Sequence, residues 1–207
     1  MKKILALSLS VLMIFALLAG CGGKADKLSD EEMIVGRWEW TMDVGKLFTA
    51  SFEMMGIEVD TDKKAEMTVY FEFNADGTYE ISVDEASAEK ATESMVEIVK
   101  DLVRSLYPEE TLEQMAAQEG MGVEEMMDAM AAEVAGEMDM SAMNESGDYR
   151  FENGKLYMDD DEGFTYKLSA KKLELTGGDI GDMDPDEEAA ISMMIDYIFP
   201  IVMTKVS

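Results

Sequence analysis

Histidine is absent from this 207-residue sequence, and cysteine occurs once, as Cys21. Without histidine there is no Ser-His-Asp triad, no histidine-ligated zinc or haem, and no imidazole general acid or base. A single cysteine forms no intramolecular disulfide and supplies no zinc–thiolate cluster. The sequence also contains no G-x-S-x-G motif and no glycine-rich phosphate loop. We therefore expect a protein that is not an enzyme and that uses no cofactor.

Basic residues are scarce: 17 lysines and arginines stand against 45 aspartates and glutamates, for a net charge of −28. Such a surface repels nucleic acid and anionic lipid headgroups. Basic protein surfaces, cations and small ligands remain as partners. The chain does not have the composition of a disordered acidic polymer, because 47% of its residues are hydrophobic and they recur at regular spacing. One domain with its own core is expected.

A long apolar run opens the sequence. Lys2 and Lys3 precede the apolar residues 4–18, a run too short and wrongly flanked for a membrane-spanning helix. It ends in Leu18-Ala19-Gly20-Cys21, which resembles the lipobox of bacterial lipoproteins. The resemblance implies that a diacylglyceryl group is attached to the Cys21 thiol and that cleavage makes Cys21 the new N-terminus. The alternative is a plain secretory signal followed by an incidental cysteine.

The lipobox divides the chain into parts with different roles. We expect a signal peptide at 1–20, an acylated Cys21 with its tether at 21–33, and a folded domain at 34–207. Two acyl chains give stable attachment to a lipid membrane where one gives only marginal binding. The predicted location is the extracytoplasmic face of a cell membrane. The acidity and the lipobox together favour a Gram-positive surface over a Gram-negative envelope.

Alternation of apolar and polar residues predicts eight β-strands. The clearest pair is a hairpin with the turn Asn74-Ala75-Asp76-Gly77; the fourth strand begins at Gly147, and Asn153-Gly154 is a strong type I′ hairpin signal. The apolar positions of the first seven strands are, strand by strand, Trp38, Trp40 and Met42; Met67, Val69, Phe71 and Phe73; Tyr79, Ile81 and Val83; Tyr149 and Phe151; Leu156 and Met158; Phe164, Tyr166 and Leu168; and Leu173 and Leu175. The last strand is predicted at 201–206. Each strand therefore has an apolar face that must be buried.

Apolar residues at helical spacing, together with capping signals, predict helices between the strands. A capping box formed by Ser29 and Glu32 opens one helical turn, and a short helix follows Val44. A last helix begins at Pro185 and ends near Phe199.

Residues 84–143 predict an all-helical insertion between the third and fourth strands. Its first helix ends at Pro108. Thr111 and Gln114 form a capping box for the second helix, which stops at Gly120. A third, methionine-rich helix follows, so the insertion has a small hydrophobic interface of its own.

Eight antiparallel strands with one apolar face each predict closure into a barrel, with the last strand paired to the first. The segment Gly36-Arg37-Trp38, a G-x-W on the first strand, resembles the lipocalin signature, and the sequence over 34–83 and 147–206 is similar to lipocalin-like domains of bacterial lipoproteins. The resemblance implies a mainly β (α+β) fold, an eight-stranded antiparallel lipocalin-like barrel in which Trp38 plugs the closed end. An open β-sheet packed on the helices is the alternative.

The inward positions of the predicted barrel supply the candidate ligand-binding residues. They are Met67, Val69, Phe71, Tyr79, Tyr149, Phe151 and Phe164. These faces and the lipocalin resemblance indicate a binding protein for an apolar small molecule or peptide. The alternative is an envelope interaction module without a small ligand, in which the acidic insertion docks a basic protein partner. A barrel packed solid by these side chains would contradict the first function.

Methionines and acidic runs raise the question of metal binding. The sequence has 21 methionines, three of them in 138–143, and thioethers suit Cu(I). Because methionine also fills irregular cores and adaptable grooves, packing is the favoured interpretation. The acidic residues from Asp182 onward match only the start of a calcium loop, since Glu187 and Met193 replace the glycine and glutamate of an EF-hand. The acids of 159–162 fit a solvated turn. We therefore predict no metal site.

Overall fold

The computed structural model describes residues 28–138, 140–159, 162–178 and 197–206. The predicted signal peptide, Cys21, most of the predicted last helix and the acidic run that begins at Asp182 lie outside these residues. Among the helices that are described, none has both the length and the apolar character needed to cross a bilayer.

The strands are β1 (Gly36–Asp43), β2 (Glu66–Phe73), β3 (Thr78–Val83), β4 (Glu145–Glu152), β5 (Lys155–Met158), β6 (Glu162–Leu168), β7 (Lys172–Gly178) and β8 (Ile201–Val206). Each strand pairs antiparallel with its neighbours in chain order, and β8 pairs with β1, so the sheet closes on itself. The prediction of a closed eight-stranded antiparallel barrel is confirmed, and the alternative of an open sheet is wrong. Closure removes the sheet edges that would otherwise pair with another chain.

One end of the barrel is closed by a short helix, α1 (Asp30–Ile34). Its predicted capping box, formed by Ser29 and Glu32, is present. Trp38 at the start of β1 is fully buried, and its Nε1 donates a hydrogen bond of 2.6 Å to the carbonyl oxygen of Ile34. Lys205 of β8 donates to the carbonyl oxygen of Met33 at 2.8 Å. These bonds hold α1 across this end of the barrel.

The other helices are α2 (Val44–Met54), α3 (Glu85–Leu106), α4 (Glu109–Glu119), α5 (Val123–Glu137) and a short 3-10 helix (Met140–Met143). The first follows β1, and the rest lie in sequence between β3 and β4. Because β1 and β3 run in the same direction, α2 and α3 both begin at the barrel end opposite α1. There they pack closely: a Cβ on Gly45 of α2 would lie 2.5 Å from Ile98 Cδ1 of α3.

Helix α3 contributes to two hydrophobic cores. Ala91, Met95 and Ile98 belong to the core that includes the buried inward residues of the barrel. Val99 and Val103 face the other way, into a second core with residues of α4 and α5. Burying both faces fixes the helical region against the barrel, since either core loses its packing if α3 moves.

The helical region also contains a buried cation. Lys100 of α3 is 8% exposed, and its ammonium lies 2.7 Å from the Asp128 carboxylate of α5. Glu97 and Glu124 lie within 3.5 Å of the same nitrogen. These carboxylates compensate the charge, so the contact joins α3 to α5 without leaving a bare buried ammonium.

Two local predictions need correction. Helix α4 begins at Glu109, after the N-cap Pro108, and no side chain caps it, so the predicted capping box at Thr111 is wrong. Pro108 occupies the N-cap position, so Thr111 lies inside the first turn of the helix and cannot cap it. Strand β4 begins at Glu145 rather than at Gly147.

Candidate functional site

The barrel end opposite α1 contains an open cleft of about 400 Å³. Its wall comes from β2 to β8 and consists of Phe71, Tyr79, Ile81, Glu145, Met158, Asp159, Phe164, Leu175 and Ile201. Small-molecule sites in proteins are clefts of this order of size, mostly apolar with a few polar groups. The barrel is therefore not filled along its whole length.

The seven predicted ligand-binding residues separate into three groups. Phe71, Tyr79 and Phe164 line the cleft. Met67 and Val69 are 1% and 0% exposed and lie inside the core, under α3, where their role is packing. Tyr149 and Phe151 lie toward the end that α1 closes.

Tyr149 and Phe151 belong to a row of aromatic rings. Tyr149 packs edge-on against Phe73 with ring centroids 5.1 Å apart, and Phe151 continues the row to Tyr166 at 5.1 Å. The Tyr149 hydroxyl donates to the carbonyl oxygen of Asn74 at 2.9 Å, and burial raises its pKa. Edge-to-face and tilted pairs of this kind are favourable packing. The row forms the floor of the barrel and leaves the space above it open.

The cleft has a polar end built around Tyr79. The Tyr79 hydroxyl oxygen lies 2.7 Å from Asp159 Oδ2 and 3.0 Å from Glu145 Oε1. Burial, and then the hydrogen bonds to these two carboxylates, raise the pKa of Tyr79 far above its ordinary value. Tyr79 is therefore a neutral phenol at physiological pH, and its hydroxyl donates a hydrogen bond to a carboxylate.

The register of β3 and β4 brings Glu145 into the cleft. Glu145 is directly opposite Ile81, and Gly147 is opposite Tyr79. Directly opposite residues in an antiparallel pair point to the same side of the sheet, so Glu145 shares the inner face with Ile81. A carboxylate thus stands at the end of an otherwise apolar face.

Asp159 is fixed by its backbone. Its φ of +56° is left-handed, a conformation that aspartate adopts more readily than most residues. Its Oδ1 accepts a hydrogen bond of 3.1 Å from the Asp148 amide, and the Arg150 guanidinium donates to its carbonyl oxygen at 2.9 Å. The carboxylate is held in the space above Gly147, where any larger residue would collide with it.

Sequence reasoning missed Glu145 and Asp159. Glu145 was detectable, because the alternation of Phe151 and Tyr149 extends two further steps inward through Gly147 to Glu145. Asp159 carried no such signal. It opens an acidic run, and its position depends on a left-handed backbone and on contacts with another strand.

A second opening lies in the helical region. Between α4 and α5 there is a groove of about 440 Å³, lined by Met115, Gln118, Glu119, Met121, Met126, Ala129, Met130 and Glu133. Four methionines give it an adaptable apolar surface, and two glutamates lie at its rim. We call it the methionine groove.

Metal ligands are not grouped in the part of the chain that the structure describes: no cluster of three or more Cys, Asp or Glu side chains there is arranged to hold an ion. The acidic run from Asp182 and the side chain of Met140 lie outside the described residues. The prediction that the protein has no metal site stays a prediction.

Comparison with protein-family models, with curated proteins and with solved structures finds no match to this chain. A barrel architecture alone does not define a function, since one fold supports many. A function for this chain therefore has to be inferred from the cleft and its residues.

Proposed function

We propose that this protein is a lipid-anchored, extracytoplasmic binding protein with a lipocalin-like barrel, and that its cleft holds an apolar small molecule or a short apolar peptide segment. The observation that carries the proposal is the open cleft of about 400 Å³ in a barrel whose other end is closed. Eight-stranded barrels are wide enough to hold one small ligand. Most of the cleft wall is hydrocarbon or aromatic ring, which favours an apolar occupant.

The position of Trp38 supports the lipocalin-like interpretation. The lipocalin resemblance implies that the tryptophan of G-x-W plugs the closed end, and Trp38 is buried there against Ile34. In this interpretation the helices of 84–143 are an insertion into the barrel at the end where the cleft opens. The helices then cover part of the opening and leave the rest accessible.

Binding is tested with a neutral apolar fluorophore, diphenylhexatriene, and a soluble form that begins at Gly22 and keeps every described residue. Ile81→Trp adds a ring to the cleft wall and is expected to lower the affinity at least about tenfold, which corresponds to roughly 1.4 kcal/mol. Val202→Trp adds the same ring to an exposed position of β8 outside the cleft and serves as the matched control. Equal affinities for the two variants would contradict binding in the cleft.

The natural ligand is sought by native mass spectrometry of the gently purified soluble form, with and without chelator. A reproducible extra mass that is lost on denaturation and absent from Ile81→Trp identifies a ligand of the cleft. Sensitivity of that mass to chelator would identify a metal instead. A bare protein mass together with no fluorophore binding would contradict the carrier function.

The lipid anchor is tested separately from the cleft. Metabolic labelling with palmitate is expected to label the full-length wild-type chain, which then partitions into the detergent phase. The Cys21→Ser chain is expected to carry no label, because serine has no thiol to accept the diacylglyceryl group. Gly23→Ala keeps the thiol and should be labelled like the wild type. Label on the serine variant would contradict acylation at Cys21.

A second candidate function is favoured by the methionine groove. Flexible methionine side chains accept varied apolar partners, and the acidic rim suits a basic amphipathic helix. Met130→Lys is expected to abolish binding of a synthetic lysine-rich amphipathic peptide. Val134→Lys, an exposed position of the same helix outside the groove, should retain it. Point variants are the right test, since deleting 84–143 would also remove Met95 and Ile98 from the barrel core.

A further inference from the structure

The cleft presents two kinds of surface to an occupant. Ile81 and Phe164 are part of an apolar wall. At the polar end, the oxygens of Tyr79, Glu145 and Asp159 converge within hydrogen-bond distance of one another through the Tyr79 hydroxyl. A purely apolar ligand would contact the apolar wall and leave the polar end hydrated. The polar end therefore indicates which class of ligand the cleft prefers.

The three converging oxygens share too few protons. The Tyr79 hydroxyl has a single proton, and an ionised carboxylate accepts hydrogen bonds without donating any. One O–H therefore satisfies either Asp159 Oδ2, at 2.7 Å, or Glu145 Oε1, at 3.0 Å, but not both at once. Water supplies the further donor in the free protein, since both carboxylates are exposed, and a ligand that carries its own donors can replace that water in the cleft. A donor that is also positively charged matches the two carboxylates best, because charge-assisted hydrogen bonds are the stronger ones.

The two carboxylates are positioned before any ligand arrives. The backbone of Glu145 is positioned by its pairing with Ile81, and its Oε1 lies 3.0 Å from the Tyr79 hydroxyl. Asp159 is fixed by its left-handed backbone, by the Asp148 amide and by the clearance above Gly147. Preorganised groups bind a ligand without the cost of ordering them first.

We infer that the cleft binds a hydrophobic amine: the ammonium group donates hydrogen bonds to Glu145, Asp159 and Tyr79, and the hydrocarbon part packs against the apolar wall. This inference rests on the proposed function, because it names the ligand class of the same cleft. The net charge of −28 attracts organic cations to the protein from solution. That attraction is diffuse and screened by salt, whereas the contacts in the cleft are local.

Three probes with the same chain separate charge from hydrocarbon: n-octylammonium, 1-octanol and octanoate. Their affinities are measured by calorimetry at 150 mM sodium chloride and pH 7, on the soluble form that begins at Gly22, after its cooperative unfolding in urea has been verified. Octylammonium is expected to bind at least about tenfold more tightly than octanol, given the strength of hydrogen bonds to charged groups. Octanoate is expected not to bind, because its carboxylate would be repelled by the carboxylates of Glu145 and Asp159.

Neutral variants of the carboxylates test the geometry. Glu145→Gln and Asp159→Asn are each expected to weaken octylammonium about tenfold while changing octanol less than about twofold. Glu80→Gln is the matched control, since Glu80 lies on β3 with its side chain exposed on the outer face, and it removes the same charge. Urea unfolding of all three variants verifies that they are folded.

Three results of these binding experiments would contradict the amine inference. Equal binding of octylammonium and octanol, unchanged in Glu145→Gln, overturns the amine inference and leaves the apolar cleft intact. An equal loss of octylammonium affinity in Glu80→Gln also overturns it, because the attraction then comes from overall charge. Failure of both octylammonium and octanol to bind, together with no effect of Ile81→Trp on diphenylhexatriene, overturns the proposed function as well.

Discussion

Asp159 occupies the space that a side chain at position 147 would need: a Cβ on Gly147 would lie 2.0 Å from Asp159 Oδ1. The same carboxylate bonds the Asp148 amide through Oδ1 and the Tyr79 hydroxyl through Oδ2. A residue in the left-handed region persists where the surrounding structure determines it, and such residues cluster at functional sites. Glycine at position 147 therefore leaves the space that the Asp159 carboxylate needs at the polar end of the cleft.

Gly147→Ala is expected to displace the Asp159 carboxylate and to break its hydrogen bond with Tyr79. The expected loss in the free energy of unfolding is about 1 kcal/mol, the usual worth of such a bond. Urea denaturation followed by tryptophan fluorescence measures it. Gly136→Ala is the control: this glycine lies in α5 with open space around it, so alanine should stabilise by roughly 0.5–1 kcal/mol. Stabilisation by both substitutions would contradict the contact.

Trp38→Phe is expected to destabilise the closed end of the barrel. Phenylalanine fills less of the fully buried site and removes the donor to the Ile34 carbonyl oxygen. The cavity and the lost hydrogen bond together should cost about 3 kcal/mol in the free energy of unfolding. Trp40→Phe, at a half-buried position, is expected to cost only about 1 kcal/mol.

The two tryptophan variants control each other. Each keeps the other indole as the fluorescent reporter, because the chain has two tryptophans. Urea midpoints and slopes are compared directly, since unchanged slopes mean that only stability has changed. Equal losses for Trp38→Phe and Trp40→Phe would mean that the bond to Ile34 contributes little.

The carboxylate of Glu174 gives the fold a defined dependence on pH. Hydrogen bonds from Lys167 at 2.7 Å and Lys172 at 2.8 Å hold the pKa of Glu174 at about 2, below its ordinary 4.5. Because the folded-state pKa is the lower one, this contribution to stability is complete above about pH 4.5 and is lost as the pH falls toward 2. Carbon NMR titration of the Glu174 carboxyl should show its midpoint near pH 2.

Replacing both lysines tests the cause of that shift. In a Lys167→Met, Lys172→Met double variant the midpoint of Glu174 is expected to rise toward its ordinary value, because both donors are gone. Glu174→Gln should also lose less stability than the wild type when the pH is lowered from 5 to 2.5. A wild-type midpoint near 4.5 would show that the two lysines do not hold the carboxylate in solution.

Sequence reasoning succeeded where local signals and tertiary structure agree. The strand alternation around Phe71 places its residues on the inner face, and the turn at Asn153-Gly154 has the two positive φ values, 52° and 77°, that a type I′ turn requires. Eight such strands with apolar faces have to be closed or covered, so the barrel followed from the pattern. The capping signal at Thr111 failed because the helix begins at Glu109, with Pro108 as its N-cap.

Other features were decided by contacts that a linear pattern does not contain. Helix α3 buries Met95 in one core and Val99 in another, and the spacing of its apolar residues does not reveal this division. Sequence alternation also assigned Tyr149 and Phe164 to the same ligand-binding role, although only Phe164 reaches the cleft. Which inward residues pack and which line open space depends on side chains from several strands at once. Asp159 belongs to the site for the same reason.

The position of the proposed anchor predicts how the barrel is oriented on the membrane. The proposed anchor at Cys21 leads through the tether 22–28 into α1, which closes one barrel end. Seven extended residues span at most about 25 Å, so the closed end should face the bilayer and the cleft should open away from it. Cysteines introduced by Ala75→Cys and Gly122→Cys mark the two ends, since the β2–β3 turn lies beside α1 and Gly122 lies in the helical region.

Acylation occupies the native thiol, so a thiol-reactive donor dye labels only the introduced cysteine in the lipidated protein. Energy transfer to an acceptor on lipid headgroups in vesicles is expected to be stronger from position 75 than from position 122. Added salt should not change which position transfers more energy. Salt screens the acidic surface charge, whereas the orientation is fixed by the tether. The reverse order would place the cleft toward the membrane, and the ligand would then reach it from the lipid phase rather than from the aqueous side.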